Sequence, residues 1–220
     1  FFKDKTLLLI DTAGIRRRGS ILPGIERYSV IRSIRAIDRA DVAVLLMDAS
    51  ELATNQDAHV AGYILDAYKG IIIVINKWDL STSLNLSQED VEQKVRQRFK
   101  FAQYAPIHFV SALKDTGVDS LLYKVFNVHC EWRKGVPRYD LKRIVMNAVA
   151  DHPPSPTGRR SLKIYGVAQD KKGPPSFTFY VNNSEFAHFS YRRYLENTIR
   201  NAYGFSGSPL RIRFKGRGER

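Results

Sequence analysis

The chain has 220 residues, 44% hydrophobic and 26% charged with a net charge of +13, a composition that fits one large or two modest globular domains. Its longest apolar runs, Val42–Met47 and Ile71–Ile75, fall far short of the ~20 residues of a membrane helix, and no secretory leader is legible. The single cysteine, Cys130, excludes an intrachain disulfide and fits a reducing compartment, and the five scattered histidines build no recognisable metal site.

The chain opens on Phe1, and Thr6–Ile10 reads at once as a short strand covered on both faces. A domain beginning in mid-sheet is expected to be a piece of something longer. Asp11 to Gly14 break the run, and a basic loop containing Gly and Pro continues to Gly24. Between residues 26 and 38, Val30, Ile31, Ile34 and Ile37 recur at helical spacing. Val42–Met47 predicts a second buried strand, Asn55–Tyr68 a helix, and Ile71–Ile75 a third strand of aliphatics only. Ser87 caps a polar helix that ends near Lys100, with Asp90 in its first turn. Ile107–Val110 predicts a fourth strand and Asp119–Arg133 a last helix, in which Cys130 is expected to be a buried small hydrophobe. Strands alternating with helices of this length predict an α/β domain with a parallel sheet over residues 1–135.

Past Gly135 the pattern changes. Leu141, Ile144, Val145, Ala148 and Val149 form one helical stripe, stopped by the prolines of 153–156. Leu162–Ala168 and Phe177–Val181 read as strands around a polar turn. Tyr191, Leu195, Thr198, Ile199 and Ala202 give a second helix face, ended by Gly204. Leu210, Ile212 and Phe214 alternate with Arg211, Arg213 and Lys215, a half-buried strand with a basic outer face. Residues 136–220 are thus expected to form a small α+β domain. They carry 16 Lys+Arg against 6 Asp+Glu, whereas residues 1–135 carry 19 against 16. A net +10 on the smaller part points to a polyanionic partner; the alternative is a basic surface that serves solubility.

Three motifs carry chemistry. Asp11, Thr12, Ala13 and Gly14 read D-x-x-G at a strand end. In a nucleotide triphosphatase the Asp would hold Mg2+ through a water and the Gly N–H would meet the γ-phosphate; the alternative is a turn that simply ends the strand. Asn76, Lys77, Trp78 and Asp79 read N-K-x-D after the aliphatic strand. An ionised Asp79 can accept both N1–H and the N2 amino group of guanine, a donor pair adenine lacks. Asn76 can bond the other edge of the base and neighbouring loops, and Lys77 can lay its stem over the ring. Trp78 is expected to pack rather than stack on a base. Ser111, Ala112 and Leu113 follow the next strand, where a backbone N–H can reach the guanine O6. All three sit at C-terminal ends of predicted parallel strands, where open α/β sheets bind ligands.

In that order the motifs resemble the third, fourth and fifth guanine-nucleotide motifs of a Ras-like GTPase. The stretches 11–19, 26–30, 181–195 and 210–214 resemble the second GTPase domain and the C-terminal KH-like domain of the bacterial double-GTPase family Der (EngA). The resemblance implies a Ras-like P-loop NTPase domain, N-terminally truncated, over 1–135 and a KH-like domain over 136–220. It implies a bacterial cytoplasmic protein, monomeric when intact, that hydrolyses GTP to GDP with Mg2+ and K+ during assembly of the large ribosomal subunit.

The sequence departs from that pattern in lacking the P-loop, the Thr-containing first switch and the entire first GTPase domain. It contains no G-x-x-x-x-G-K-[ST], hence no P-loop Lys and no phosphate cradle, so this chain alone is expected to be inactive. Ile15 stands where many Ras-like proteins place a water-orienting Gln; the resemblance implies K+ in its stead, with ligands outside this sequence. The competing reading is a standalone pseudo-GTPase that binds rRNA or the ribosome without hydrolysis. Gly204 and Gly207 match the spacing of the KH GXXG loop but lie before the last strand, where Gly204 reads as a helix stop. Arg192, Arg193, Arg211 and Arg213 are left as candidate phosphate contacts.

Overall fold

The computed structural model describes residues 6–11, 34–156, 160–170 and 173–216. It divides into two compact units, Phe1–Cys130 with Ser206–Ser208, and Glu131–Phe205 with Pro209–Arg220.

In the first unit three strands, β1 (Val42–Asp48), β2 (Gly70–Asn76) and β3 (Ile107–Phe109), form a parallel sheet in that order. Helices α1 (Asn55–Asp66), α2 (Gln88–Arg98) and α3 (Val118–Trp132) follow the three strands in turn. Local chemistry fixes the helix starts. Thr54 and Asp57 form a reciprocal capping box on α1, and the Ser87 hydroxyl accepts from the Asp90 N–H at 3.1 Å on α2. Ile71 to Ile75 are fully buried because the strand is covered twice. Ile71, Ile73 and Ile75 join Ala61, Ile64, Val91, Val95 and Phe99 on one face, and Ile72 and Val74 meet Val110 and Val128 on the other. Among the described residues the two faces of β1 differ: Leu45 and Met47 are buried on one, while on the other Val42 is partly buried and Val44 and Leu46 are exposed.

The predicted strand Thr6–Ile10 is not formed. These residues pair with no described strand, and Leu8 and Leu9 are 79% and 84% exposed. An aliphatic run becomes a strand only where an edge offers hydrogen-bond partners and a second layer covers its side chains. Of the helix expected between 26 and 38, residues 34–39 are helical and the part before 34 lies outside the described residues. Cys130 is exposed, not buried. It follows the buried Val128 by two positions on α3, about 200° round the helix.

In the second unit α4 (Arg138–Asp151) precedes β4 (Ile164–Gln169) and β5 (Ser176–Val181), and α5 (Phe189–Tyr203) precedes β6 (Arg211–Gly216). The sheet order is β4-β5-β6, antiparallel then parallel. Leu141 and Val145 of α4 and Leu195 and Ile199 of α5 share one core with Val167, Phe177, Phe179 and Ile212. Gly204 ends α5 at φ 85°, its N–H donating to the Arg200 carbonyl at 2.7 Å.

Candidate functional site

The parallel register pairs Asp48 with Asn76 and Ile75 with Phe109, so the C-terminal ends of β1, β2 and β3 share one sheet edge. At that edge Asn76 ends β2, and Lys77 turns the chain through the left-handed region (φ 61°) into a short 3-10 turn, Trp78–Leu80. A side-chain-bearing residue holds that conformation only when its surroundings impose it. Here the Trp78 N–H donates to the Val110 carbonyl at 3.0 Å, and the Trp78 ring packs on Phe109 with centroids 4.4 Å apart. Trp78 packs, as its sequence context suggests.

The 111–116 loop grips the motif from the other side. Ala112 N–H donates to Asn76 Oδ1 at 3.1 Å, and the Ser111 hydroxyl donates to Asp79 Oδ1 at 2.5 Å while accepting from the Lys114 N–H at 3.1 Å. Ser111 and Thr116 exchange backbone hydrogen bonds that close the loop. Gly117 follows at φ 79°, where a Cβ would lie 2.5 Å from the Phe109 carbonyl oxygen. Asp79 therefore has one carboxylate oxygen fixed and the other, Oδ2, without a partner among the described residues. An acceptor so fixed suits a ligand edge carrying adjacent donors. The structure brings Asn76, Asp79, Ser111 and Ala112 together; the Leu113 side chain is 85% exposed.

Asp48 is the residue that sequence reasoning missed. Its Oδ2 lies 2.7 Å from Lys77 Nζ, and its Oδ1 accepts from the Ser50 N–H at 2.9 Å and hydroxyl at 2.6 Å. Burial pushes the Asp48 carboxyl up, but the Lys77 ammonium and the two Ser50 donors outweigh it and hold the pKa down at about 2. The signal available was an acid at the end of the neighbouring strand, in register with Asn76. A depressed carboxylate contributes stability that is complete above its unfolded pKa near 4 and lost as pH falls through its folded value. Asp48→Asn is therefore expected to remove about 2 kcal/mol of stability at pH 7 and almost none at pH 2. Urea unfolding of both proteins across that range checks the convergence.

Asp11 is exposed, and no hydrogen bond or ion pair ties it to this cluster among the described residues. Thr12, Ala13, Gly14 and Ile15 lie outside the described residues. In the second unit the four arginines divide between two faces. Arg192 and Arg193 are exposed on α5, on the helical side of the sheet, and the Arg192 guanidinium lies 5.5 Å over the Phe214 ring. Arg211 and Arg213 lie on the opposite side, with Arg213 3.2 Å from Asp170. Tyr191 and Tyr194 are rim residues: their hydroxyls donate to the His152 and Ala148 carbonyls, both at 2.9 Å.

Known proteins match this chain in both parts. Residues 22–130 match the family of the elongation factor Tu GTP binding domain, and residues 136–215 match the C-terminal KH-domain-like family of EngA bacterial GTPase enzymes. The GTPase Der of Chloroflexus aggregans is 45% identical over 212 residues, which cover 96% of this chain and 47% of that protein. The GTPase Der of Syntrophotalea carbinolica is 43% identical over 219 residues, covering 100% and 50%. Among solved structures, Era in complex with MgGDPNP and nucleotides 1506–1542 of 16S ribosomal RNA aligns at 16% identity and a TM-score of 0.41, over 86% of this chain and 69% of that one. The chain thus spans about half the length of the curated relatives it matches, and with matches to a GTP-binding domain and an EngA-type KH-like domain it belongs to the GTPase Der family.

Proposed function

We propose that this chain carries the guanine-reading half of a GTPase site, over 1–135, and an RNA-binding KH-like domain over 136–220, within a longer cytoplasmic bacterial protein. That protein hydrolyses GTP during assembly of the large ribosomal subunit and acts as a monomer. The observation that carries the nucleotide half is the clamp on Asn76 and Asp79 by Ser111 and Ala112. Asp79 accepts the guanine N1–H and amino group, Asn76 ties the two reading loops together, and the Ala112 and Leu113 backbone borders the O6 edge. Lys77, its ammonium tethered to Asp48, presents its aliphatic stem to one face of the ring. Asp11, Thr12, Ala13, Gly14 and Ile15 belong to the phosphate side, where Asp11 would hold Mg2+ through a water. The sequence lacks the P-loop cradle, so the chain alone binds GTP weakly and does not turn it over. Exposed Val44 and Leu46 on β1, with Leu8 and Leu9, support a sheet continued by further strands and helices of the longer protein. The test of the nucleotide half is base selectivity: guanosine nucleotides must engage the chain and adenosine nucleotides must not.

The RNA half is supported by the net +10 of residues 136–220 and by the arginine-bearing strand β6. Counterion release makes such binding salt-sensitive, with log affinity falling by about 0.7–0.9 per log salt for each neutralised phosphate. Replacing Arg211 and Arg213 together with Gln is expected to flatten that slope by about 1–2 units and to weaken duplex and single-stranded RNAs alike. Filter binding at stepped salt measures it. An unchanged slope would remove both arginines from the interface.

A further inference from the structure

Helices α4 and α5 cover one face of the second unit's sheet, and no described element covers the other. That open face has a specific chemistry. The register sets Tyr180 beside Lys215 on β6 and opposite Gly166 on β4, and sets Thr178 beside Arg213. Ile164 pairs with Val181 and Gly166 with Tyr180, so Tyr165 is an extra residue in β4. Such a bulge re-aims the side chain it carries. Tyr165 is 53% exposed and Tyr180 45%, and the two rings, with Lys215, border one open hollow of about 400 Å³. At Gly166, across from Tyr180, a Cβ would meet nothing within 4 Å, so no side chain intrudes on that side. The Lys215 ammonium has no ion-pair partner among the described residues.

We propose that this hollow takes an unpaired RNA base between Tyr165 and Tyr180, with Lys215 on an adjoining phosphate. The proposal rests on the reading that residues 136–220 bind RNA, and it names which RNA and which face. Aromatic rings beside cations fit a splayed base, whose π-face stacks whatever its identity and whose backbone meets the charge. The surroundings favour a polyanion over a protein partner: beyond the two phenol rings, the outward side chains of β6 are Arg211, Arg213 and Lys215, and the domain carries +10. Duplex RNA, whose bases are paired and stacked, offers the rings nothing to hold. The face lies across the sheet from Arg192 and Arg193, so those two arginines stand apart from it.

The test uses the full chain, a labelled oligouridine octamer and a 12-base-pair RNA duplex. Tyr165→Leu with Tyr180→Leu replaces two exposed rings and leaves the core intact, which an unchanged melting temperature verifies. The double variant is expected to bind the octamer about tenfold or more weakly, with its salt slope and its duplex affinity unchanged. Lys215→Gln is expected to flatten the octamer slope by about one phosphate. Octamer affinity unchanged by the tyrosine pair would overturn the stacking site while leaving RNA binding by the domain intact, and would turn this face towards a protein partner. Equal losses for octamer and duplex would overturn it too. Wild-type chain that bound neither RNA would overturn the proposal together with the reading beneath it.

Discussion

In the intact protein, Asp79→Asn is expected to lower GTP affinity by about a hundred- to a thousandfold and to raise the relative affinity for xanthosine triphosphate. The reason lies in which atom faces the base. Ser111 donates its hydroxyl to Asp79 Oδ1 and Ala112 holds Asn76 beside it, so the 79 side chain cannot swing freely. An asparagine there keeps its oxygen towards the Ser111 donor and turns its amide N–H₂ towards the position of Oδ2. That donor then confronts the guanine amino group, leaving two buried donors facing each other and a charge-assisted bond lost. The cost is about 3–4 kcal/mol. Xanthine carries an oxygen at that ring position and accepts from the amide. Competition between the two triphosphates measures the ratio; if it stays at the wild-type value, Asp79 does not read the base.

Gly207→Ala is expected to destabilise the chain by about 2–4 kcal/mol, a fall in melting temperature of about 5–15 °C. Gly207 sits at φ 69°, and a Cβ there would lie 2.5 Å from Val128 Cγ2 and 2.9 Å from the Ile71 carbonyl oxygen. Its own carbonyl accepts from the Ile71 N–H at 2.7 Å and its N–H donates to the Tyr104 carbonyl at 2.8 Å. The backbone is pinned on both sides and cannot retreat. Gly62, inside α1 with nothing near its missing Cβ, provides the contrast: Gly62→Ala should gain about 0.5–1 kcal/mol. Thermal melts of the two variants separate close packing from simple loss of a glycine. The same geometry explains the GXXG-like spacing of Gly204 and Gly207, one ending a helix and the other packing against β2 and α3.

What the sequence made legible follows from what local pattern encodes. β2 was readable because Ile71–Ile75 is a five-residue run of β-branched aliphatics, too short for a helix and suited to a strand buried on both faces. Ser87 and Gly204 marked helix ends because capping is chemistry of single residues. The alternation of Arg211–Lys215 with Ile212 and Phe214 likewise revealed which face of β6 is wet. Thr6–Ile10 failed because an aliphatic run specifies apolarity and not the edge that must pair with it. Asp48 was missed because its partner Lys77 lies 29 positions on, brought close only by the parallel register of β1 and β2. The Tyr165 bulge is invisible for a related reason: an extra residue shows only against the strand it is paired with. Cys130 was misplaced because thiol burial is a composition-level tendency, whereas helix phase decides the individual case.

The most direct test of the guanine-reading half is an amide NMR titration of the chain as it stands, with guanosine and adenosine monophosphates at millimolar concentration. Guanosine monophosphate should shift the amides of Asn76 to Asp79 and of Ser111 to Leu113, with adenosine monophosphate leaving them in place. Equal responses to both nucleotides, or guanosine-induced shifts confined to other residues, would contradict the assignment of Asn76 and Asp79 as the readers of the base.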